Sequence, residues 1–127
     1  MEILVYERMR DDAAFGALAA NRYYSVEKPA DAPLPHAVGE VLSEVRPQAM
    51  GSAPGNVQAR LQVSSFATRP SGARALAATV RLSLHRWRNA VSSPVIEDVF
   101  LANAREFYDA AAGAFVKEQD YLVFYRE

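Results

Sequence analysis

Between Val57 and Ala67 the chain alternates without a slip. Val57, Ala59, Leu61, Val63, Ser65 and Ala67 fall on one side, and Gln58, Arg60, Gln62 and Ser64 on the other. A side-chain period of two is strand geometry, and a strand with one apolar face needs a second layer to cover that face. The cover follows directly. Ala73, Leu76, Ala77, Val80, Leu84 and Trp87 recur at helical spacing, forming one stripe on a helix predicted over 71–88, with Ser71 as its N-cap. Arg74, Arg81 and Arg88 recur every seventh residue on its other side, beside His85, and Asn89 and Pro94 end it. A switch of period from two to 3.6 within so short a stretch commits the chain to helix packed on sheet.

The remaining segments extend that plan. Residues 2–10 read as a helix. Asp11 or Asp12 caps a second short helical turn through Ala13, Ala14, Phe15, Ala17 and Leu18, which Asn21 can close in the left-handed conformation. Tyr23, Tyr24 and Val26 suggest a short extended piece, and Pro29, Pro33 and Pro35 forbid helix in the connection after it. Ala37, Gly39, Val41, Ser43 and Val45 then alternate with Val38, Glu40, Leu42 and Glu44 as a strand. Residues 47–56, with two prolines and two glycines, form the long loop of a hairpin. Strands are predicted over 95–103 and 114–125, with Tyr108, Asp109 and residues 110–113 as the turn between them. Residues 121–125 are apolar on both faces, so that strand is either central in the sheet or covered by another chain. The expectation is an α+β two-layer domain: a mainly antiparallel sheet of about four strands against two helices. At 127 residues there is room for one domain, 1–127, and not for two.

The charge is unevenly distributed. Residues 1–45 carry eight acids against four bases, and 97–127 seven acids against three. Residues 46–96 carry seven arginines (Arg46, Arg60, Arg69, Arg74, Arg81, Arg86, Arg88) and no acid. Three readings are open. The basic middle can fold against its own acidic ends. It can form surfaces complementary to another subunit or partner, for which the planar guanidinium suits arginine. Or it can meet nucleic acid, although a pI near 6.1 is far from that of domains that grip DNA.

Familiar chemistry is mostly missing. There is no cysteine, which removes disulfides, thiolate zinc sites and cysteine nucleophiles together. His36 and His85 lie on different elements without metal-ligand spacing, and His85 reads as an exposed residue whose charge suits a helix C-terminus. Gly51 and Gly55 are not followed by the Lys-Ser/Thr of a phosphate loop, and no nucleophile elbow is present. Glu97 and Asp98 point to opposite faces of a strand; Glu118 and Asp120 share a face and read as solvated acids. Trp87 belongs with the core rather than with a stacking platform. No metal, cofactor or catalytic constellation is expected. No apolar run approaches a membrane span, and Glu2, Glu7 and Arg8 interrupt the one apolar stretch near the start, so no secretory pattern is read there.

In order and spacing, the pieces resemble the tail completion or tail terminator proteins of long-tailed phages and phage-like gene transfer agents. The resemblance covers nearly the whole chain. Asn21-Arg22-Tyr23-Tyr24 is similar to the family's Asp-Arg-Ile-Tyr-like turn, and Pro33-Leu34-Pro35-His36-Ala37-Val38 to its Pro-Leu-Pro-Tyr-Val-Val approach to the first long strand. Ser43-Glu44-Val45-Arg46, a glycine-bearing loop and Ala59-Arg60-Leu61-Gln62-Val63 match the hairpin. Phe66-Ala67, then Ala73-Arg74-Ala75-Leu76-Ala77 with Val80-Arg81 and Leu84, resemble the helix after it. Phe107-Tyr108-Asp109, Gly113-Ala114-Phe115 and Tyr121-Leu122-Val123-Phe124-Tyr125 resemble the closing hairpin. His36 stands where tyrosine is common, and residues 86–96 diverge.

The resemblance implies a structural virion protein. It would form a homo-oligomeric, six-fold ring on the last ring of the tail tube, bound to the major tail tube protein and to a head-side connector or stopper. Double-stranded DNA would pass through its lumen, and neither cofactor nor catalysis is implied. It would be made in the host cytoplasm and reside in the tail or neck of the virion, with no membrane partner. On that reading Arg74, Arg81 and Arg88 face an acidic surface across a subunit or partner boundary. The loop carrying Met50, Gly51 and Ser52 docks on the tube or the connector. The rivals are another neck component, such as a connector or stopper, and, in a different class, a small α+β ligand-binding or enzymatic dimer with a deep apolar pocket.

Overall fold

The computed structural model describes residues 1–26, 32–46, 55–91 and 93–127. In chain order the elements are α1 (Glu2–Asp11), α2 (Ala13–Ala19), β1 (Tyr23–Ser25), β2 (His36–Val45), β3 (Asn56–Ala67), α3 (Pro70–Leu84), β4 (Val95–Asp109) and β5 (Ala114–Arg126). The strands form one sheet in the order β1-β2-β3-β5-β4, parallel between β1 and β2 and antiparallel elsewhere. The α+β, mainly antiparallel architecture is as expected. The sheet has five strands rather than about four, and three helices rather than two, because the extended piece at Tyr23 pairs as a strand of its own and the two N-terminal helical turns remain separate elements.

The strand predicted from strict alternation is the middle strand. Val57, Ala59, Leu61, Val63, Ser65 and Ala67 are all buried, and their neighbours on the other face are not. β5 lies beside it, between β3 and β4, so the doubly apolar run 121–125 is central in the sheet. Tyr121 and Val123 join Leu61 and Val63 in one core with Leu76, Val80 and Leu84 of α3, Val5 and Met9 of α1, and Phe15 of α2. α3 packs on β3 and β5, and α1 on β1 and β2. The opposite face of the sheet carries no helix among the described residues.

Local signals explain most element ends. Asp12 caps α2, its carboxylate accepting from the Phe15 amide at 2.8 Å. The left-handed C-cap is Ala20, and Asn21 continues in that conformation (φ 49° and 63°). The turn between β4 and β5 is tighter than expected: Asp109 Oδ1 accepts from the amides of Ala111 and Ala112, and Gly113 (φ 64°) supplies the left-handed residue.

Three predicted boundaries move, the first for a local reason and the other two for tertiary ones. α3 begins at Pro70, not with a cap at Ser71: proline's fixed φ suits the first helical position, and Arg69 precedes it in an extended conformation. α3 also ends at Leu84, short of Arg88. The Arg86 amide donates to the Val99 carbonyl at 2.6 Å and Asn89 bridges Ile96, so the chain leaves the helix to run along the edge of β4. β4 continues to Asp109 because β5 pairs with it residue by residue through Asp109↔Ala114, even though Ala102, Asn103, Ala104, Arg105 and Glu106 have little strand propensity.

A fourth difference lies inside β2. The alternation predicts Ala37, Gly39, Val41, Ser43 and Val45 on one face, but a bulge between Val41 and Ser43 reverses the frame. Ser43 sits opposite Arg60 on the uncovered face, and Glu44 turns to the helix side. There Glu44 Oε1 accepts from the Tyr125 hydroxyl at 3.1 Å; burial first, then that carboxylate, pushes the phenol up to about 12.

Candidate functional site

The uneven charge of the sequence is largely paired off within the chain. Arg46 meets Glu127 at 2.6 Å, Arg60 meets Asp120 at 2.9 Å, and Arg86 and Arg88 converge on Asp98 at 3.2 and 3.3 Å. Arg74 grips Glu106 with two nitrogens, Nε to Oε1 and Nη2 to Oε2, both at 2.9 Å. Every one of these acids lies in the acidic C-terminal stretch. Folding the basic middle against the acidic end is therefore what the structure does with most of that charge. Arg69 and Arg81 are exposed and form no ion pair among the described residues.

The predicted site residues do not form a row. Arg74 and Arg81 sit on α3, whereas Arg88 lies past its end beside Asp98. Met50, Gly51 and Ser52 fall outside the described residues. The Arg74–Glu106 pair extends to Lys117 Nζ, 3.1 Å from the same carboxylate. Hydrogen bonds from Arg74 first, then from Lys117, hold the Glu106 carboxyl down at about 2, well below its usual 4.5. Because that value is depressed on folding, the clamp contributes fully above pH ~4.5 and is lost as pH falls toward about 2. The Tm gap between wild type and Glu106→Gln is therefore expected to be open at pH 7 and to close across that window. A gap independent of pH would refute the clamp.

The uncovered face of the sheet carries a polar belt. Asp120 accepts from Arg60 at 2.9 Å and from Gln62 at 3.1 Å; Glu118 takes two nitrogens of Arg105 at 3.1 and 3.3 Å. The side chains of Glu118 and Asp120 are only 11% and 14% exposed. The expectation of solvated acids is thus corrected: neighbouring strands shield both and arginine compensates both, as nearly buried carboxylates require. Spacing by two residues put them on one face in the sequence. Their arginine partners, 13 and 60 residues away, were not legible there. Toward the other end of this face Phe100 and Phe124 meet edge to face at 5.8 Å, with Arg86 stacked 4.8 Å from the Phe100 ring.

The histidines are structural. His36 is buried, stacks on Phe66 at 4.8 Å, and has its Nδ1 3.0 Å from the Pro33 carbonyl. His85 Nδ1 accepts from the Leu101 amide at 3.1 Å. It thereby ties the end of α3 to β4, instead of serving as a helix-end charge. No metal-ligating group of three is found among the described residues. Trp87 packs against the core on one side and carries Arg8 on its ring at 4.8 Å. Arg8 also donates to the Ser83 carbonyl at 2.7 Å, and partial burial lowers its pKa against the pull of Asp12. An open groove of about 500 Å³ beside this contact is lined by Glu7, Asp11, Asp12 and Trp87, a polar wall rather than a deep apolar pocket.

The geometry is that of a charge-balanced scaffold with polar surfaces. The profile of the family described as tail completion protein gp17 matches residues 4–126. Among solved structures, a chain from the virion of a native gene transfer agent particle is similar, with a TM-score of 0.74 and 19% identity over 97% of this chain and 92% of that one. At that identity the likeness is one of fold. No curated protein matches. The chain belongs to the tail completion protein gp17 family, and it is a structural protein of the virion tail.

Proposed function

We propose that the chain, acting as one domain, closes as a ring of six subunits on the end of the tail tube. The ring stops tube growth and offers its far side to the head-side connector, and double-stranded DNA passes through its lumen at ejection. The role is mechanical, without catalysis or cofactor. The observation that carries this reading is the match to the tail completion family from residue 4 to residue 126. The uncovered sheet face supports it. Asp98, Glu118 and Asp120 on that face are each held by arginine, so a sliding duplex meets neither a row of bare carboxylates nor a row of free cations.

The deciding experiment is native mass of the purified chain, alone and with tail tubes, followed by negative-stain images. Rings of about six subunits, or a cap of such rings on tube ends, are expected. A stable dimer without affinity for tube ends would overturn the reading.

Two surface variants test the partner contacts. Arg81 has no intrachain ion pair among the described residues, so Arg81→Glu is expected to leave the Tm of the free chain unchanged. It weakens ring assembly or tube attachment by about tenfold or more, as a charge reversal at a complementary contact does. Deleting residues 50–54, which include Met50, Gly51 and Ser52, is expected to abolish tail joining while rings still form. Normal joining by that deletion would remove the loop from the docking surface.

A further inference from the structure

Two stretches of strand edge have no partner among the described residues, and they lie at opposite corners of the sheet. β1 pairs with the outer edge of β2 only at 37–39, which leaves 40–45 open. On the far side, the segment after α3 covers β4 only as far as Leu101. The Arg86 amide bonds the Val99 carbonyl, Asn89 bridges Ile96, and His85 takes the Leu101 amide. Residues 102–108 beyond it are all exposed. Long open edges invite pairing with another chain and are usually blunted. These carry charges, Glu40 and Glu44 on one and Arg105 and Glu106 on the other, but also Leu42, Val45, Phe107 and Tyr108, each more than a third exposed.

We infer that the 103–107 edge of one copy pairs with the 40–45 edge of the next, so that β2, β3, β5 and β4 continue from subunit to subunit as one closed sheet. The inference rests on the ring reading and supplies the contact that closes it. Strand direction permits it: β2, β3, β5 and β4 alternate in direction, so a copy related by rotation brings β2 antiparallel to β4.

The two covered corners fix the register. Across the sheet Glu40 is level with Gln62, Asp120 and Asn103, and Val45 with Gln58, Phe124 and Asp98. At that level the neighbour cannot dock, because its β1 and this copy's segment 85–89 occupy the edges. A slide of about four residues along the strands clears both, and an even number keeps each face on its own side. Glu40 then lies opposite Phe107 and diagonal to Arg105, Ser43 opposite Arg105, and Val45 opposite Asn103. The slide is ~13 Å along the strands against ~19 Å across four of them, a tilt of ~35°. Sheets close into barrels at about that tilt. The stagger that the covered corners impose is therefore the stagger that closure needs.

The chain has no cysteine, so an introduced pair reports on this contact alone. Val45 and Asn103 are exposed and opposite each other in the inferred register, within the ~4.5–5.5 Å Cα separation that a disulfide tolerates. Oxidising V45C/N103C is expected to give a ladder of covalent oligomers ending at the ring. V45C/A104C, whose thiols would face opposite sides of the sheet, is expected to link about tenfold less or worse. Rings by native mass without the V45C/N103C ladder would overturn the edge pairing and leave the ring standing. A wild-type chain that forms no ring, alone or on tube ends, would overturn both.

Discussion

Tyr121→Ala is expected to cost the free chain about 3–5 kcal/mol, the range for emptying a large aromatic site in a core. Tyr121 is fully buried at the centre of β5, opposite Leu61 and in the same cluster as Val123 and Leu76. Burial also raises its phenol pKa, so the ring stays neutral. Its hydroxyl donates to Gln119 Oε1 at 2.9 Å, and Gln119 is itself buried. Urea denaturation should show a lower midpoint with an unchanged slope, and the Tm should fall by more than ~10 °C. Tyr121→Phe separates the two contributions. It keeps the volume, leaves Gln119 short of a partner, and is expected to cost about 1–3 kcal/mol. A Tyr121→Ala loss below that of Tyr121→Phe would mean that the site collapses around the missing ring and that its packing does not hold the centre of β5.

Any side chain at position 39 is expected to unseat Tyr23. A Cβ on Gly39 would overlap the Tyr23 hydroxyl and lie 2.7 Å from Cζ. Tyr23 is 3% exposed and packs on Tyr6 of α1 and Phe15 of α2, both at 6.2 Å, so it has nowhere to retreat without opening the N-terminal layer. Gly39→Ala is expected to cost about 2–3 kcal/mol as overpacking. Its effect should concentrate in hydrogen exchange at β1 and the facing stretch 37–39 of β2. Tyr23→Phe on that background should recover part of the loss by removing the closest atom. Strict additivity of the two changes would refute the contact.

These two sites mark where the sequence could and could not be read. Tyr121 sits in a run whose composition already required either a central strand or cover from another chain. Nothing local says that Gly39, in an ordinary alternating stretch, is where a tyrosine from a strand 14–16 residues earlier must lie against the backbone. The same division runs through the polar surfaces. That Arg74 lies on the exposed side of a helix follows from its place relative to Ala73, Leu76 and Val80. That it clamps Glu106 depends on β4 running on to Asp109, and β4 does so only because β5 lies alongside.

By itself, the sequence determined what one-dimensional periodicity and turn chemistry carry. These are the buried face of β3, the stripe of α3, an aspartate cap at Asp11 or Asp12 before the second helical turn, a place for 121–125 either central in the sheet or under another chain, and an α+β, mainly antiparallel class. Its ordered pieces also carried the tail completion resemblance. Tertiary structure decided whatever depends on an edge finding a partner. It ended α3 at Leu84 when Arg86 bonded to β4, and it reversed β2 at the bulge. It also drew Glu118 and Asp120 out of solvent beneath their arginines. The physical reason is common to these cases. A side-chain period is a local property of a strand or helix, whereas a backbone hydrogen bond at an edge, or an ion pair across a face, is set by residues far apart in the chain that only the packed sheet brings level.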